Sequence, residues 1–154
     1  MALTEYEQLC DTAYAQLIDV FEHALPARVR GLYYEDGLIK SITINKGIDT
    51  GAEKLCVLAE ELGHSFYGGD FIHGALPDAL KRKIERLARV WAYKRLLPAK
   101  KLLAALKDPC YNNNCEIAEE FGVTEEFLCE ATEYYKVGGI IPPFIAYDES
   151  DFCS

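Results

Sequence analysis

The amino-acid sequence predicts an α+β fold, mainly helical and with a small antiparallel sheet. Apolar residues recur at helical spacing through most of the 154 residues. Residues 28–45 are instead rich in valine, isoleucine, leucine and tyrosine, and Asp36-Gly37 divides them in the way typical of a β-hairpin. Half of all residues are hydrophobic, which is enough to bury a core without covalent cross-links.

Two helices are predicted on either side of this hairpin. Apolar side chains at helical spacing predict the first helix over residues 4–23. The second is predicted over 51–66, with Thr50 or Asp49 as its N-cap. Glu53, three residues after Thr50, would complete a capping box. The hairpin should therefore lie between two amphipathic helices.

The second half of the chain is predicted to be helical as well. Pro77 opens a third helix that runs to about Arg95, because proline suits the first helical position. Pro98 restarts the chain as a short fourth helix. Two further helices are predicted, at 115–121 and at 124–136.

Charge and composition exclude several classes of protein. The net charge of −9 argues against direct binding of nucleic acid, which requires Lys and Arg to neutralise phosphates. There is no apolar run of about 18 residues, and the acidic N-terminus lacks the features of a signal peptide. We therefore expect a cytoplasmic protein with no membrane partner. Its six cysteines should be reduced thiols.

The predicted second helix carries Glu60, Glu61 and His64. Residues 60 and 64 are four apart, so their side chains lie on one face, about 6 Å apart along the axis, and can hold one metal ion. Glu61 is offset by about 100° and can act on a water molecule. This is the geometry of the H-E-x-x-H zinc motif, with Glu60 in the place of the first histidine.

A zinc peptidase needs a third protein ligand, and the next helix offers Glu85. Ala88 and Ala92 follow it at helical spacing and would allow that helix to pack closely. Gly63, beside His64, costs about 1 kcal/mol in a helix interior, which suggests a packing requirement at that position.

Together, these segments resemble the ImmA/IrrE family of metallo-endopeptidases. The segment Glu85-x-x-Ala88-x-x-Trp91-Ala92, followed by Leu96-Leu97-Pro98, is similar to the family pattern E-x-x-A-x-x-F-A…L-L-x-P. The run 58–64 resembles the active-site helix of members encoded by phages and mobile elements. The hairpin and residues 117–124 match as well, so the resemblance covers roughly residues 5–136.

The resemblance implies a zincin-like endopeptidase that hydrolyses a peptide bond in a helix-turn-helix repressor and so relieves repression. It implies that Glu61 is the general base and that Glu60, His64 and Glu85 bind Zn²⁺. Tyr67 or Tyr93 is a candidate for stabilising the oxyanion.

Glu60 departs from the family pattern, in which the first ligand is histidine. One histidine with two carboxylates makes a harder, more anionic site, which favours Mn²⁺ more than the usual ligand set does. The metal would also be a weaker Lewis acid. The alternative is a catalytically inactive peptidase fold that regulates a repressor by binding it. His73, in the following loop, is a further candidate ligand, although a surface role suits it better.

The predicted organisation is a zincin-like domain over 1–107, a C-terminal helical pair over 108–137 packed on it, and an extended tail over 138–154. The pair has helix-turn-helix-like spacing. Its second helix begins with Glu125 and Glu126, however, and carboxylates at that position would repel phosphates. We therefore expect a packing or protein-binding element rather than a DNA reader.

Overall fold

A computed structural model describes residues 1–67 and 76–143. In chain order its elements are α1 (Glu5–Ala15), β1 (Asp19–His23), β2 (Gly31–Asp36), β3 (Ile39–Asn45), α2 (Gly51–Tyr67), α3 (Asp78–Leu96), α4 (Ala99–Lys107), α5 (Asn114–Phe121) and α6 (Glu125–Val137). The predicted α+β, mainly helical class is confirmed. Within these two ranges, no helix has the length and apolar character needed to cross a bilayer. None of the five cysteines located there forms a disulfide.

The sheet has three strands in the order β1-β3-β2. β2 and β3 form the predicted antiparallel hairpin, in which Asp36 pairs with Ile39 across a two-residue turn. Gly37 has φ 57 at the first turn position, as a type II′ turn requires. β1 is an addition to the prediction: it runs parallel to β3, so the sheet is mixed.

The predicted first helix, over 4–23, is wrong in its second half. Thr4 caps α1 and exchanges hydrogen bonds with Glu7 in a capping box, but the helix ends at Ala15. Residues 19–23 are strand β1 rather than helix. The apolar spacing of this segment does not distinguish the two, because the strand's residues also fit the helical pattern.

A Schellman motif ends α1. The Ile18 N–H donates to the Ala13 carbonyl at 3.0 Å, and the Leu17 N–H donates to the Tyr14 carbonyl at 2.9 Å. Leu17 has φ 61, a left-handed conformation that glycine usually adopts. The sequence therefore gives no glycine signal for this helix end.

The other helices agree with the prediction to within one or two residues at each end. Thr50 is the N-cap of α2, since its Oγ1 accepts the Glu53 N–H at 3.2 Å. The Glu53 carboxylate itself pairs with Arg30. Thr124 caps α6 in the same way, through the Phe127 N–H.

The chain divides into two compact units, Met1–Ala92 and Tyr93–Ser154. In the first unit, α1 and α2 pack against the sheet. The core side chains there are Leu9, Ala13, Ile18, Ile42, Ile44, Leu58 and Leu62. In the second unit, the Tyr135 hydroxyl donates to the Leu97 carbonyl at 2.8 Å. The predicted peptidase domain, helical pair and tail stay predictions, and residues 144–154 of the tail lie outside the described ranges.

Asn45 is a buried polar residue at the end of β3. Its Nδ2 donates to the carbonyl groups of Leu25, Pro26 and Val29 at 3.2, 3.4 and 2.8 Å. Its Oδ1 accepts from the N–H groups of Leu25 and Gly47 at 3.4 and 3.0 Å. One amide side chain thus holds the connection between β1 and β2 in place.

Candidate active site

α2 and α3 touch at Gly63. A Cβ atom at this position would lie 2.4 Å from the Ala88 carbonyl oxygen and 2.9 Å from the Ala88 Cα. Because those atoms are backbone, a larger residue would force the helices apart. Beyond this contact, the rings of Phe66 and Trp91 pack with their centroids 5.0 Å apart. The glycine therefore sets the separation at which side chains of the two helices meet.

His64 and Glu85 meet across this contact. The His64 Nε2 lies 3.3 Å from the Glu85 Oε2, and the two side chains are 20% and 68% exposed. Burial lowers the pKa of His64, but the hydrogen bond to Glu85 and the nearby carboxylates outweigh burial and raise it overall. The same hydrogen bond lowers the pKa of Glu85. The structure thus brings together two of the predicted ligands.

Glu61 lies beneath strand β2. The backbone of Tyr33 donates a hydrogen bond to its carboxylate. Gly31, two residues earlier, leaves room for the side chain, since a Cβ there would lie 2.8 Å from the Glu61 Cγ and 3.0 Å from its Oε1. The edge strand of the sheet thereby fixes the predicted general base.

Burial is the main cause that raises the pKa of Glu61 to about 7. The charge on His64 opposes this shift, while the charges of Glu60 and Glu85 add to it. A carboxyl group that titrates near neutrality can take up and release a proton under physiological conditions, which is what a general base must do.

Glu60 pairs with Arg89 of α3, with the Arg89 Nε 3.8 Å from the Glu60 Oε1. Within residues 1–67 and 76–143, no group of three or more His, Cys, Asp or Glu side chains is arranged to hold a metal ion. The structure therefore does not bring Glu60 together with the other two predicted ligands. Metal binding by all three stays a prediction.

The remaining geometry fits a metal in part. Two ligand atoms bound to one tetrahedral Zn²⁺ at about 2.0–2.1 Å lie about 3.4 Å apart. The His64 Nε2 and the Glu85 Oε2, at 3.3 Å, already have this separation. Imidazole and carboxylate are both normal zinc ligands. Glu60 has the right chemistry as well, but its carboxylate would have to leave Arg89.

Sequence reasoning missed three residues of this cluster: Arg89, Gly31 and Tyr33. Arg89 follows Glu85 by four residues, as His64 follows Glu60. This repeated spacing could have indicated that the two helices pair through these four side chains. Gly31 and Tyr33 gave no signal, because their role depends on the sheet lying over α2.

Other candidate residues lie elsewhere or cannot be placed. The Tyr93 hydroxyl donates to Glu130 of α6 at 2.7 Å, which does not support a role for it as oxyanion donor. Tyr67 is partly exposed at the end of α2. His73 lies outside the described residues.

Comparison with known proteins identifies the family of the chain. A family model described as the IrrE N-terminal-like domain of peptidase M78 matches residues 15–133. No curated protein and no solved structure gives a significant match. The matched span contains the whole sheet, α2 and α3, and with them Glu60, Glu61, His64 and Glu85. The chain therefore belongs to the peptidase M78 family of IrrE N-terminal-like domains, the ImmA/IrrE-type proteins.

Proposed function

We propose that this protein is a metal-dependent endopeptidase of a phage or mobile genetic element, and that it hydrolyses a peptide bond in a helix-turn-helix repressor. The observation that carries the proposal is the position of Glu61: a half-buried carboxylate, held by the Tyr33 backbone, beside the His64–Glu85 pair. Membership of a peptidase family supports the reaction class.

The charge of the protein supports the proposed partner. DNA-binding repressors carry Lys and Arg that face phosphates. A chain with a net charge of −9 attracts such basic surfaces and accelerates their encounter with it. The expected partner is therefore a repressor protein rather than its DNA.

In this proposal His64, Glu85 and Glu60 would hold Zn²⁺ or Mn²⁺. When bound, the metal would polarise the scissile carbonyl and make water a better nucleophile. Glu61 accepts the proton that the attacking water loses and passes it to the leaving amine. Before the metal binds, Glu85 orients the His64 ring through its hydrogen bond, and Tyr33 and Gly31 keep the Glu61 side chain in place.

The test uses the purified protein with a helix-turn-helix repressor encoded near its gene as the candidate substrate. Glu61→Gln keeps the shape of the side chain but removes its basicity, so we expect repressor cleavage to fall at least 100-fold while repressor binding persists. Glu53→Gln, the same change in the first turn of α2 and outside the site, should cleave normally. Intact repressor after incubation with the metal-loaded wild type would exclude repressor cleavage.

The second candidate is a non-catalytic regulator that binds the repressor on a peptidase scaffold. The observation in its favour is the Glu60–Arg89 pair, which holds the residue in the first-ligand position in an ion pair. In that case Glu61→Gln would leave derepression unchanged, and the repressor would be recovered uncleaved in a complex with the protein.

A further inference from the structure

Two acid–base pairs link α2 to α3 at the candidate site. On α2, Glu60 and His64 are one turn apart; on α3, Glu85 and Arg89 are one turn apart. Glu60 pairs with Arg89, and His64 pairs with Glu85. Each helix thus supplies one acid and one base, and the first-ligand position belongs to one of these pairs.

The position of Arg89 gives it influence over two of the predicted ligands. Its Nε lies 3.8 Å from the Glu60 Oε1. Its positive charge also stabilises the ionised form of Glu85, one turn earlier on the same helix. The charge of the guanidinium therefore acts on the carboxylates of both Glu60 and Glu85.

A guanidinium and a divalent cation compete for such carboxylates. Both are attracted to the same oxygens, and they repel each other across a few ångströms. Whichever cation is bound thus weakens the binding of the other.

We infer that Arg89 competes with the metal for Glu60. Its guanidinium pairs with the Glu60 carboxylate in the metal-free state, and a divalent cation must displace the guanidinium to complete the site. This inference rests on the proposed metal-dependent function. Arg89 is then a positioning residue that acts through Glu60 and sets the metal concentration at which the site fills.

The test measures the affinity of the full-length protein, freed of metal with a chelator, for Zn²⁺ and for Mn²⁺ by titration calorimetry. We expect Arg89→Gln to lower the Kd about tenfold, because one positive charge near a dication is lost and Glu60 is released. Arg89→Lys keeps the charge and should stay close to the wild type. Arg86→Gln, the same change at an exposed position of α3, is the matched control and should change the Kd less than twofold.

Three results distinguish failure of this inference from failure of the proposed metal function. If the wild type binds metal and His64→Ala does not, but Arg89→Gln has the same Kd as Arg86→Gln, the inference is overturned and the metal site stands. If no variant binds either metal more tightly than His64→Ala, the inference and the proposed metal function both fail. If only Arg89→Gln binds metal tightly, the inference is supported in its strongest form. A thermal melt of each variant verifies that it is folded.

Discussion

Glu61 is a residue whose ionisation is opposed by the fold. Burial raises its pKa from the usual 4.5 to about 7, so the folded state holds a proton that the unfolded state has already lost. A carboxyl group shifted upward stabilises the fold fully below pH 4.5. This stabilisation is lost as the pH rises from 4.5 to 7. The metal-free protein should therefore lose stability over that interval.

Glu61→Gln tests this at the residue scale. The amide cannot ionise, yet its oxygen can still accept the Tyr33 N–H. In chelator-treated protein we expect the free energy of unfolding of the variant to exceed that of the wild type by about 2 kcal/mol more at pH 8 than at pH 5. Urea denaturation at both pH values measures this, with the exposed Glu119→Gln as the control. A variant that loses stability in parallel with the wild type would show that Glu61 is not the cause.

The residues of the site differ in how far sequence alone could predict them. The proximity of Glu61, His64 and Glu85 was predictable, because helical periodicity fixes which side chains share a face and the resemblance to a two-helix family motif placed Glu85 opposite His64. The Glu60–Arg89 pair was not, because long flexible side chains choose their partners only after packing. The Gly31 and Tyr33 contacts depend on the register of the sheet over α2, which periodicity does not specify.

At the scale of elements, three helices end in the same motif with different residues. The left-handed residue that follows the helix is Gly122 with φ 69 for α5 and Gly139 with φ 72 for α6, whereas it is Leu17 with φ 61 for α1. The N–H of Val123 donates to the Ala118 carbonyl just as the N–H of Ile18 does to that of Ala13. The two glycine ends were predictable and the leucine end was not, which is why β1 was missed.

Leu17→Gly should therefore stabilise the protein. A leucine in the left-handed region costs about 1–2 kcal/mol, and the side chain is 82% exposed, so little packing is lost. After allowance for the greater flexibility of glycine in the unfolded chain, we expect a gain of about 0.5–1 kcal/mol in the free energy of unfolding. Gly122→Ala, the reverse change at the matched position, should lower it by about 1 kcal/mol. If both substitutions changed the free energy of unfolding in the same direction, the left-handed conformation would not be the cause.

For the whole molecule, the boundary between the two compact units falls inside α3, between Ala92 and Tyr93. A continuous helix cannot melt on one side of such a boundary without loss of hydrogen bonds on the other. We therefore expect the chain to unfold as one cooperative system rather than as two domains in sequence.

A destabilising substitution in one unit should thus lower the unfolding midpoint of the other unit as well. Tyr135→Phe removes the hydroxyl that donates to the Leu97 carbonyl, and leaving this carbonyl without its partner should cost about 1–2 kcal/mol. The fluorescence of Trp91, the single tryptophan and part of the first unit, should report the same lowered midpoint as far-UV circular dichroism. A fluorescence midpoint that stays at the wild-type value would show that the units unfold independently.

The hydrogen bonds of Asn45 affect which positions of the sequence can vary among relatives. Its partners in the connection between β1 and β2 are all main-chain atoms, so the path of that connection does not depend on the side chains along it. Mutations can accumulate at those positions while the strands keep their register. Asn45 itself cannot be replaced in this way, because aspartate lacks the amide N–H donor and glutamine is one methylene too long. A single conserved amide beside a rapidly diverging segment is the pattern that natural variation should leave here.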